Sequence, residues 1–191
     1  METKKNLLDC NTLMILGGGG HAKVVIDIAK ALKRDLEIVI LDDDIKKKSL
    51  YGYSIVGPIE SFKSYSNDSS YFFVAIGNNS VRAKLLEQLR EAKKQIATLI
   101  APFSFTSESA DIGAGTVIMP GAVVNADSII GEGCIVNTGA TVDHDCDVGK
   151  YSHLAPGSNL AGGVKIGESV LVGVGSQVIP CVEVGDKCIV G

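Results

Sequence analysis

Three histidines occur in the 191-residue sequence, at positions 21, 144 and 153, and each is a candidate for proton transfer. Histidine suits a general base because its ordinary pKa lies close to neutrality. His144 lies between Asp143 and Asp145, and an adjacent carboxylate can hold the ring in one tautomer and raise its basicity. The His144–Asp145 pair is therefore our candidate for a base that deprotonates an amine or a hydroxyl group. A solvated histidine without a chemical role is the alternative.

A run of four glycines, Gly17 to Gly20, is the second candidate site. It follows a short apolar stretch and precedes a segment with helical spacing, so loop amides and a helix N-terminus could hold the phosphates of a nucleotide. Gly17, Gly19 and Ala22 also satisfy the dinucleotide-binding fingerprint, and Asp42, 20 residues past Ala22, could bind a ribose. A lone fingerprint is weak evidence, and an oxidoreductase would leave the second half of the chain unexplained.

The elements that must position these residues differ between the two halves. In the first half, four apolar segments read as strands: residues 13–16, 37–41, 71–76 and 96–100. Two segments read as helices: residues 22–33, and a second one that Ser80 caps and that runs to about Lys94. Repeated strand–helix–strand units predict a Rossmann-like α/β domain with a parallel sheet, whose ligand lies at the carboxyl ends of the strands.

The second half is a run of six-residue repeats. Starting at Ile112 and stepping by six, fourteen consecutive positions are aliphatic, and mostly a small residue follows four positions after each. This periodicity predicts a parallel β-helix with three short strands per coil and the aliphatic side chains inside. Only one of the ten Phe and Tyr residues, Tyr151, lies after residue 106, as a narrow interior requires. Composition changes near Ala101-Pro102, so we predict domains of residues 1–100 and 101–191.

The 18-residue period of this helix predicts which side chains meet. Residues 18 apart lie on adjacent coils, about 4.8 Å apart, and Gly162 follows His144 at that spacing. A residue without a side chain leaves room beside the ring and exposes a backbone N–H; a glycine kept for its backbone conformation is the alternative. His153 lies half a coil from His144, so the two rings belong on different sides. A site that uses both would lie between subunits, as in a three-fold trimer.

Four further segments occur in order: GGGGHAKVV at 17–25, LDD at 41–43, AIGNN at 75–79 and NTGATVDHDC at 137–146. With the hexads, they resemble the bacterial hexapeptide-repeat sugar acetyltransferases over nearly the whole chain. That family includes sialic acid O-acetyltransferases and bacillosamine-type N-acetyltransferases of nucleotide-linked 4-amino sugars. The resemblance implies a left-handed β-helix, acetyl-CoA as co-substrate and a homotrimer. It implies no metal.

The resemblance also implies roles for individual residues. The implied catalytic residues are the general base His144, its supporting Asp145 and Asn137, a polar residue near the base. The implied cofactor contacts are His153, Gly162, whose main chain lies near the acetyl group and could hold the thioester oxygen, and Val174. The nucleotide sugar is implied to contact Gly19, Gly20, His21, Asp42, Asp43 and the region of Gly77. Helix-start geometry for His21 and turn chemistry for the aspartates are the alternatives.

Bulk composition excludes several classes of protein. A net charge of −4 without a Lys/Arg-rich block predicts neither nucleic-acid binding nor membrane docking. No 18-residue apolar run occurs and the first residues lack a signal-peptide hydrophobic stretch, so a cytoplasmic protein is expected. The five cysteines include no CxxC pair, and Cys134, Cys146 and Cys188 share one repeat position, so we expect packing thiols and no zinc site.

The chain departs from the resembling enzymes at Val190-Gly191, two residues into a hexad. Those enzymes continue with another coil, a Gly-Ala-rich segment and a C-terminal strand that complete the cofactor groove. We expect the sequence to be either truncated or naturally short, and the second case would weaken CoA binding. The leading functional prediction is N-acetylation of a nucleotide-linked 4-amino sugar. The alternatives are O-acetylation of a sugar hydroxyl and a non-catalytic nucleotide-sugar-binding scaffold.

Overall fold

The structure, a computed structural model, describes residues 11–44, 46–66 and 70–191. The N-terminal residues for which no signal peptide is expected lie outside this part. In the described part of the first half the strands and α-helices are β1 Thr12–Leu16, α1 Gly20–Leu32, β2 Glu37–Leu41, β3 Ser49–Leu50, β4 Tyr53–Gly57, β5 Ser70–Val74 and α2 Asn79–Glu91, and a 3₁₀ helix, Ile59–Ser64, lies between β4 and β5. The sheet order is β3-β4-β2-β1-β5, and every pair is parallel except β3 with β4. The α/β prediction is confirmed. In the described chain, neither helix is long and apolar enough to cross a membrane.

The boundaries of α2 differ from the prediction. Asn78, and not Ser80, caps the helix: its side-chain oxygen accepts a hydrogen bond from the Val81 N–H at 3.0 Å. Asn is as good an N-cap as Ser, and here Asn78 has the extended backbone that a cap needs. The helix ends at Glu91, before Lys93 turns into the left-handed region at φ +52°. The two-residue edge strand β3 and its neighbour β4 were missed because they carry no continuous apolar signal.

The second half is a left-handed parallel β-helix of two-residue strands. They are β6 Leu99–Ile100, β7 Phe105–Thr106, β8 Asp111–Ile112, β9 Val117–Ile118, β10 Val123–Val124, β11 Ile129–Ile130, β12 Ile135–Val136, β13 Thr141–Val142, β14 Asp147–Val148, β15 His153–Leu154, β16 Asn159–Leu160, β17 Lys165–Ile166, β18 Leu171–Val172, β19 Gln177–Val178, β20 Glu183–Val184 and β21 Ile189–Val190. Each strand from β6 to β18 pairs in parallel with the strand 18 residues later, as Thr141 does with Asn159.

These strands form three sheets. Sheet I has the order β21-β18-β15-β12-β9-β6, sheet II β19-β16-β13-β10-β7, and sheet III β20-β17-β14-β11-β8. Twelve of the fourteen aliphatic repeat positions are buried between them, and Val184 and Val190 are half-buried. The predicted inward row is therefore confirmed. Burying apolar surface is the main favourable term in folding, so this row holds the coils together.

The small residues of the repeat also connect the coils by hydrogen bonds. Thr116 Oγ1 donates to the Gly131 carbonyl at 2.8 Å and accepts from the Cys134 N–H at 3.0 Å. The thiols of Cys134 and Cys146 take the same place, each 3.2 Å from a carbonyl oxygen, and both are buried as expected of packing thiols. Cys188 is exposed.

The two halves share one apolar core. Leu99, Val117 and Ile135, on the outer face of sheet I, are buried in the same cluster as α1 and β2. The segment 96–100, expected as the last strand of the first half, divides between the two halves. Ile96 bridges to Phe72 of β5, whereas Leu99–Ile100 pairs with β9 in the β-helix. Apolar periodicity finds a strand but does not say which sheet the strand joins. The domain boundary at 100/101 stays a prediction.

Candidate active site

His144 lies at the corner between β13 and β14, and its side chain is 62% exposed. Its Nδ1 atom is 2.7 Å from Oδ2 of Asp145. Asp145 has a φ of +59°, a left-handed conformation that aspartate tolerates better than most residues. In neutral His144 the proton therefore lies on Nδ1, facing the carboxylate, and Nε2 is left to accept another.

Two carboxylates make this imidazole more basic. The hydrogen bond to Asp145 and then the charge of Asp143 raise the pKa of His144 above its ordinary value. Asp143 is itself held in place, because its Oδ1 accepts from the His144 backbone N–H at 2.9 Å and from Asn125 Nδ2 at 3.1 Å. These bonds lower the pKa of the Asp143 carboxyl, which stays ionised. The corner thus has the electrostatics of a general base.

Gly162 lies on the next coil, against the His144 ring. A Cβ atom added to Gly162 would lie 2.7 Å from Cε1 and 2.8 Å from Nε2 of His144, closer than real side chains approach. The neighbouring Gly163 N–H donates to the His144 carbonyl at 3.0 Å and ties the two coils together. The Gly162 N–H has no acceptor in the described part of the chain. The stacking predicted from the 18-residue period is therefore present, with a base and a free donor at one corner.

His153 lies in β15, on the outer face of sheet I, half-buried against the first half. Its Nε2 is 3.0 Å from Nδ2 of Asn137, whose Oδ1 accepts from the Thr138 N–H at 2.8 Å. Because the amide nitrogen can only donate, Nε2 of His153 is the acceptor. The ring proton then lies on Nδ1, and the ring's other hydrogen bond goes to the backbone of Gly77.

The surroundings of His153 lower its pKa. Burial, followed by the charge of Arg82, lowers the pKa of His153 to about 4, against a smaller opposing effect of the Gly77 bond. His21 is affected in the same way: burial and then the charges of His153 and Arg82 lower its pKa to about 4. Both rings are therefore neutral near pH 7. His153 is a hydrogen-bonding group and lacks the basicity of His144.

The structure separates some of the predicted site residues. His144 lies between sheets II and III and His153 on sheet I, so the expectation that they lie on different sides is met. Asn137, expected near the base, contacts His153 and not His144 of the same chain. Val174 is 78% exposed at the corner between β18 and β19. A groove on sheet II, between the corners of Val174 and His144, is lined by Asn125, Thr141, Asp143, Asn159, Ala161 and Gln177, among others.

In the first half, the glycine run leads into the N-terminus of α1. Gly19 is the N-cap and, having no side chain, leaves the first N–H groups of the helix without a side-chain cap. Nothing lies within 4 Å of where a Cβ on Gly19 or Gly20 would be. The first turn contains no acidic residue. Nε2 of His21 is buried without a partner among the described residues. An anion could approach these amides closely, as at other helix N-termini.

The two aspartates hold the loops around this N-terminus. Oδ2 of Asp42 accepts from the Gly18 N–H, and Oδ1 accepts from the Asp44 N–H at 2.8 Å. Asp43 Oδ1 accepts from the Ile59 N–H at 2.8 Å, where a 3₁₀ helix, Ile59–Ser64, begins. The turn-chemistry alternative therefore describes both residues, and their contact with a substrate stays a prediction.

Two residues were not singled out from the sequence. Lys47 Nζ lies 3.5 Å from the Gly18 carbonyl and brings a positive charge to the glycine loop. Three consecutive lysines, 46–48, gave no sign of which one does so. Arg82 is 1% exposed and lies between the two halves. The sequence did contain a sign that Arg82 is buried. It shares helical spacing with the buried leucines Leu85, Leu86 and Leu89, on the face of α2 that packs inward. In the described residues, no group of three or more potential metal ligands occurs.

Comparison with known proteins identifies both halves. The sequence profile of the PglD N-terminal domain matches residues 12–89, and that of the bacterial transferase hexapeptide, six repeats, matches residues 109–144. The chain is 40% identical over 105 residues to UDP-N-acetylbacillosamine N-acetyltransferase of Bacillus subtilis. This match covers 54% of the chain and 49% of that enzyme, so the chain aligns with about half the length of this curated relative.

Solved structures extend the likeness across the junction of the two halves. The acetyltransferase domain of PglB from Neisseria gonorrhoeae, in complex with acetyl coenzyme A, is 38% identical with a TM-score of 0.90. The comparison covers 94% of this chain and 87% of that one. PerB from Caulobacter crescentus, in complex with CoA and GDP-perosamine, is 40% identical with a TM-score of 0.87, over 93% of this chain and 84% of that one.

Proposed function

This chain belongs to the hexapeptide-repeat sugar acetyltransferases, and we propose that it transfers the acetyl group of acetyl-CoA to the amino group of a nucleotide-linked 4-amino sugar. The reaction would serve bacterial surface-glycan biosynthesis in the cytoplasm. The relatives named above that act on sugars are N-acetyltransferases, of UDP-N-acetylbacillosamine and of perosamine. This favours an amine over a hydroxyl as the acceptor.

One observation carries the proposal: the His144 ring, bound to Asp145 at 2.7 Å, lies against Gly162, whose N–H is free. Acetyl transfer from a thioester needs a base for the incoming amine and a donor for the oxyanion. The corner provides one of each on adjacent coils. It also provides space, because Gly162 has no side chain where the thioester must approach.

The residues act in sequence. Nε2 of His144 accepts a proton from the sugar amine as its nitrogen attacks the thioester carbonyl carbon. The Gly162 N–H donates to the oxygen that becomes negative. When the C–S bond breaks, CoA leaves as a thiolate, and the proton on His144 passes to the sulfur. Asp145 keeps the ring in the reactive tautomer and stabilises the imidazolium that forms between these steps.

The active unit we propose is a homotrimer. His144 and His153 of one chain lie on different sides of the prism, so both can touch one acetyl-CoA only if neighbouring chains contribute one each. The groove on sheet II, between the corners of His144 and Val174, offers a path with both polar and apolar lining for the extended cofactor. Across such an interface, Asn137 and His153 of one chain would lie near the His144 of its neighbour.

The nucleotide sugar would bind the first half. Its phosphates fit the open amides of Gly19 and Gly20 at the N-terminus of α1, with Lys47 nearby to balance their charge. His21 and Gly77 lie at the junction with the β-helix, where the sugar would face the acetyl donor. Asp42 and Asp43 would support this site by holding its loops and, where an oxygen is exposed, by contacting the nucleotide.

The test is a panel assay. Purified chain is incubated with acetyl-CoA and with UDP- and GDP-linked 4-amino sugars, and released CoA is measured together with the mass and linkage of the product. We expect an amide on the sugar nitrogen with at least one of them and loss of turnover in His144→Ala. An O-linked acetyl group would replace the acceptor class. Nucleotide-sugar binding without turnover in any arm would favour the scaffold.

A further inference from the structure

Arg82 is a buried cation that no carboxylate neutralises among the residues described. The guanidinium donates to carbonyl oxygens on both halves: to Gly133 and Tyr151 at 2.6 Å, and to Ile76 and Gly77 at 3.0 Å. Burial lowers the pKa of Arg82 only to about 10, so the group stays charged at neutral pH. A buried, unpaired charge costs stability unless it is fully hydrogen-bonded, and the position of these acceptors therefore matters.

The acceptors on the β-helix form a column. Gly133, Tyr151 and Ser169 lie 18 residues apart at the corner between sheets III and I, and within the described chain the carbonyl oxygens of these three residues accept no backbone hydrogen bond from the neighbouring coil. Arg82 donates hydrogen bonds to the first two carbonyls, and Asn79 Nδ2 donates to the third, that of Ser169, at 3.1 Å. Asn79 in turn accepts from Arg82 at 2.9 Å. The start of α2 thus supplies hydrogen-bond donors to one carbonyl on each of three successive coils.

The acceptors on the first half lie in the loop after β5. Arg82 Nη1 binds the carbonyls of Ile76 and Gly77, and the Gly77 backbone also takes a hydrogen bond from the His153 ring. One guanidinium therefore links the β-helix corner, the Gly77 loop and, through Gly77, the orientation of His153.

We propose that Arg82 is a positioning residue that fixes the Gly77 loop and the His153 imidazole relative to each other, and so aligns the nucleotide-sugar and acetyl-CoA sites. This inference rests on the proposed function for the identity of the two ligands. Its structural part, the link from Arg82 through Gly77 to His153, does not.

The charge of Arg82 contributes as well as its geometry. The ionisable group that acts on the pKa of His153 is Arg82 on α2, and the charge of His153 acts in turn on His21 of α1. The strand partners of His153 on sheet I, Ile135 and Leu171, are apolar. A positive charge nearby disfavours imidazolium, and a neutral ring keeps Nε2 as an acceptor for Asn137. Arg82 thereby stabilises the neutral ring, and the contacts of that ring with Asn137 and Gly77 select its Nδ1–H tautomer.

The first measurement needs no variant at the arginine. Nitrogen chemical shifts of ¹⁵N-labelled full chain report the tautomer and charge of each of three histidines, and a His153→Gln spectrum assigns His153. We expect His153 as the neutral Nδ1–H tautomer from pH 8 down to about pH 5. An Nε2–H tautomer, or a charged ring at pH 6, would overturn the proposal.

The second measurement separates charge from geometry. Arg82→Met removes both, so the pKa of His153 should rise and the ring should sample both tautomers. Arg82→Lys keeps the charge but loses the planar guanidinium that donates to several carbonyls at once, so the pKa of His153 should stay low. In both variants we expect KM for acetyl-CoA and for the nucleotide sugar to rise about tenfold, as loss of one well-placed hydrogen bond would cause, with a smaller change in kcat.

Arg90→Met is the matched control. Arg90 also lies on α2 and reaches the β-helix, but its partners are the side chains of Glu87, Glu132 and Tyr151, away from Gly77. It should leave the His153 tautomer and both KM values unchanged. A folded Arg82→Met or Arg82→Lys chain with wild-type KM values and an unaltered His153 signal would refute the positioning role. If wild type turns over no amino sugar, the proposed function fails, whereas the nitrogen shifts still decide the role of Arg82.

Discussion

The corner around His144 and the junction around His153 place the same side chain in opposite environments. His144 is exposed, bonded to Asp145 and close to Asp143, and its pKa is raised. His153 is half-buried beside Arg82, and its pKa falls to about 4. Residue type alone therefore does not assign a role. The neighbours raise the basicity of one ring, which suits the base we propose, and keep the other a neutral hydrogen-bonding group.

The contrast between the two histidines predicts the largest loss of activity for substitutions of His144, the proposed base. His144→Asn keeps a polar side chain but removes the proton acceptor, so kcat should fall by about 10²–10⁴. KM for acetyl-CoA should change little, because the ring acts mainly in the transition state. His153→Asn should do the reverse, raising KM for acetyl-CoA with a smaller loss of kcat. Steady-state kinetics of the two variants side by side measures this, and equal kcat losses would remove the distinction.

A methyl group at Gly162 should disturb the base from the neighbouring coil. The added Cβ would lie 2.7–2.8 Å from the His144 ring, so Gly162→Ala should displace the ring or block the acetyl group. We expect kcat to fall by roughly 10²–10³-fold, comparable to the loss of an oxyanion contact. Gly185→Ala is the control, since nothing lies within 4 Å of its added Cβ. Normal kcat in Gly162→Ala would show that the stacked glycine has no role in catalysis.

The two environments also predict opposite effects on stability as the pH changes. His153 has a folded pKa of about 4, below its ordinary 6.5, so the unfolded chain binds the extra proton and the folded chain loses stability as pH falls through that window. In urea unfolding, the free energy of unfolding of His153→Gln should fall by roughly 1–3 kcal/mol less than that of wild type between pH 6.5 and pH 4.

The effect of His144 on stability changes with pH in the opposite direction, and the same experiment measures it. Its folded pKa is raised, so it contributes stability that is present below the unfolded pKa and lost as pH rises through the folded pKa. His144→Gln should therefore leave the acid-side loss as steep as in wild type, or steeper. If both glutamine variants flattened the profile equally, the contrast between the two sites would be wrong.

The sequence predicted the β-helix well because its interior repeats strictly. A side chain that points inward every six residues must be aliphatic wherever it occurs, and 18-residue stacking then placed Gly162 on His144. The junction could not be predicted in this way. Apart from the side chains of Asn79 and Asn137, the partners of Arg82 and His153 are backbone carbonyls, which every residue carries, so no residue pattern marks them.

The roles of Asp42 and Asp43 show the same limit. Their position after β2 predicted a contact with the nucleotide sugar, which stays a prediction, because a carboxylate at a strand end can bind a ligand or a neighbouring loop. Which of the two it does depends on where the glycine loop and residue 59 come to lie in the fold. That is tertiary information, and periodicity and motif spacing do not contain it.

The most direct test of His144 as the base is the pH dependence of kcat/KM for the amino-sugar substrate in wild type and in Asp145→Asn. The pKa of the substrate amine is common to both proteins, so a difference between their profiles belongs to the enzyme. Because the bond to Asp145 is the main cause that raises the pKa of His144, the acid limb should move to lower pH in Asp145→Asn and the plateau rate should fall. Superimposable acid limbs would contradict the account, because a base supported by Asp145 cannot lose that support and titrate unchanged.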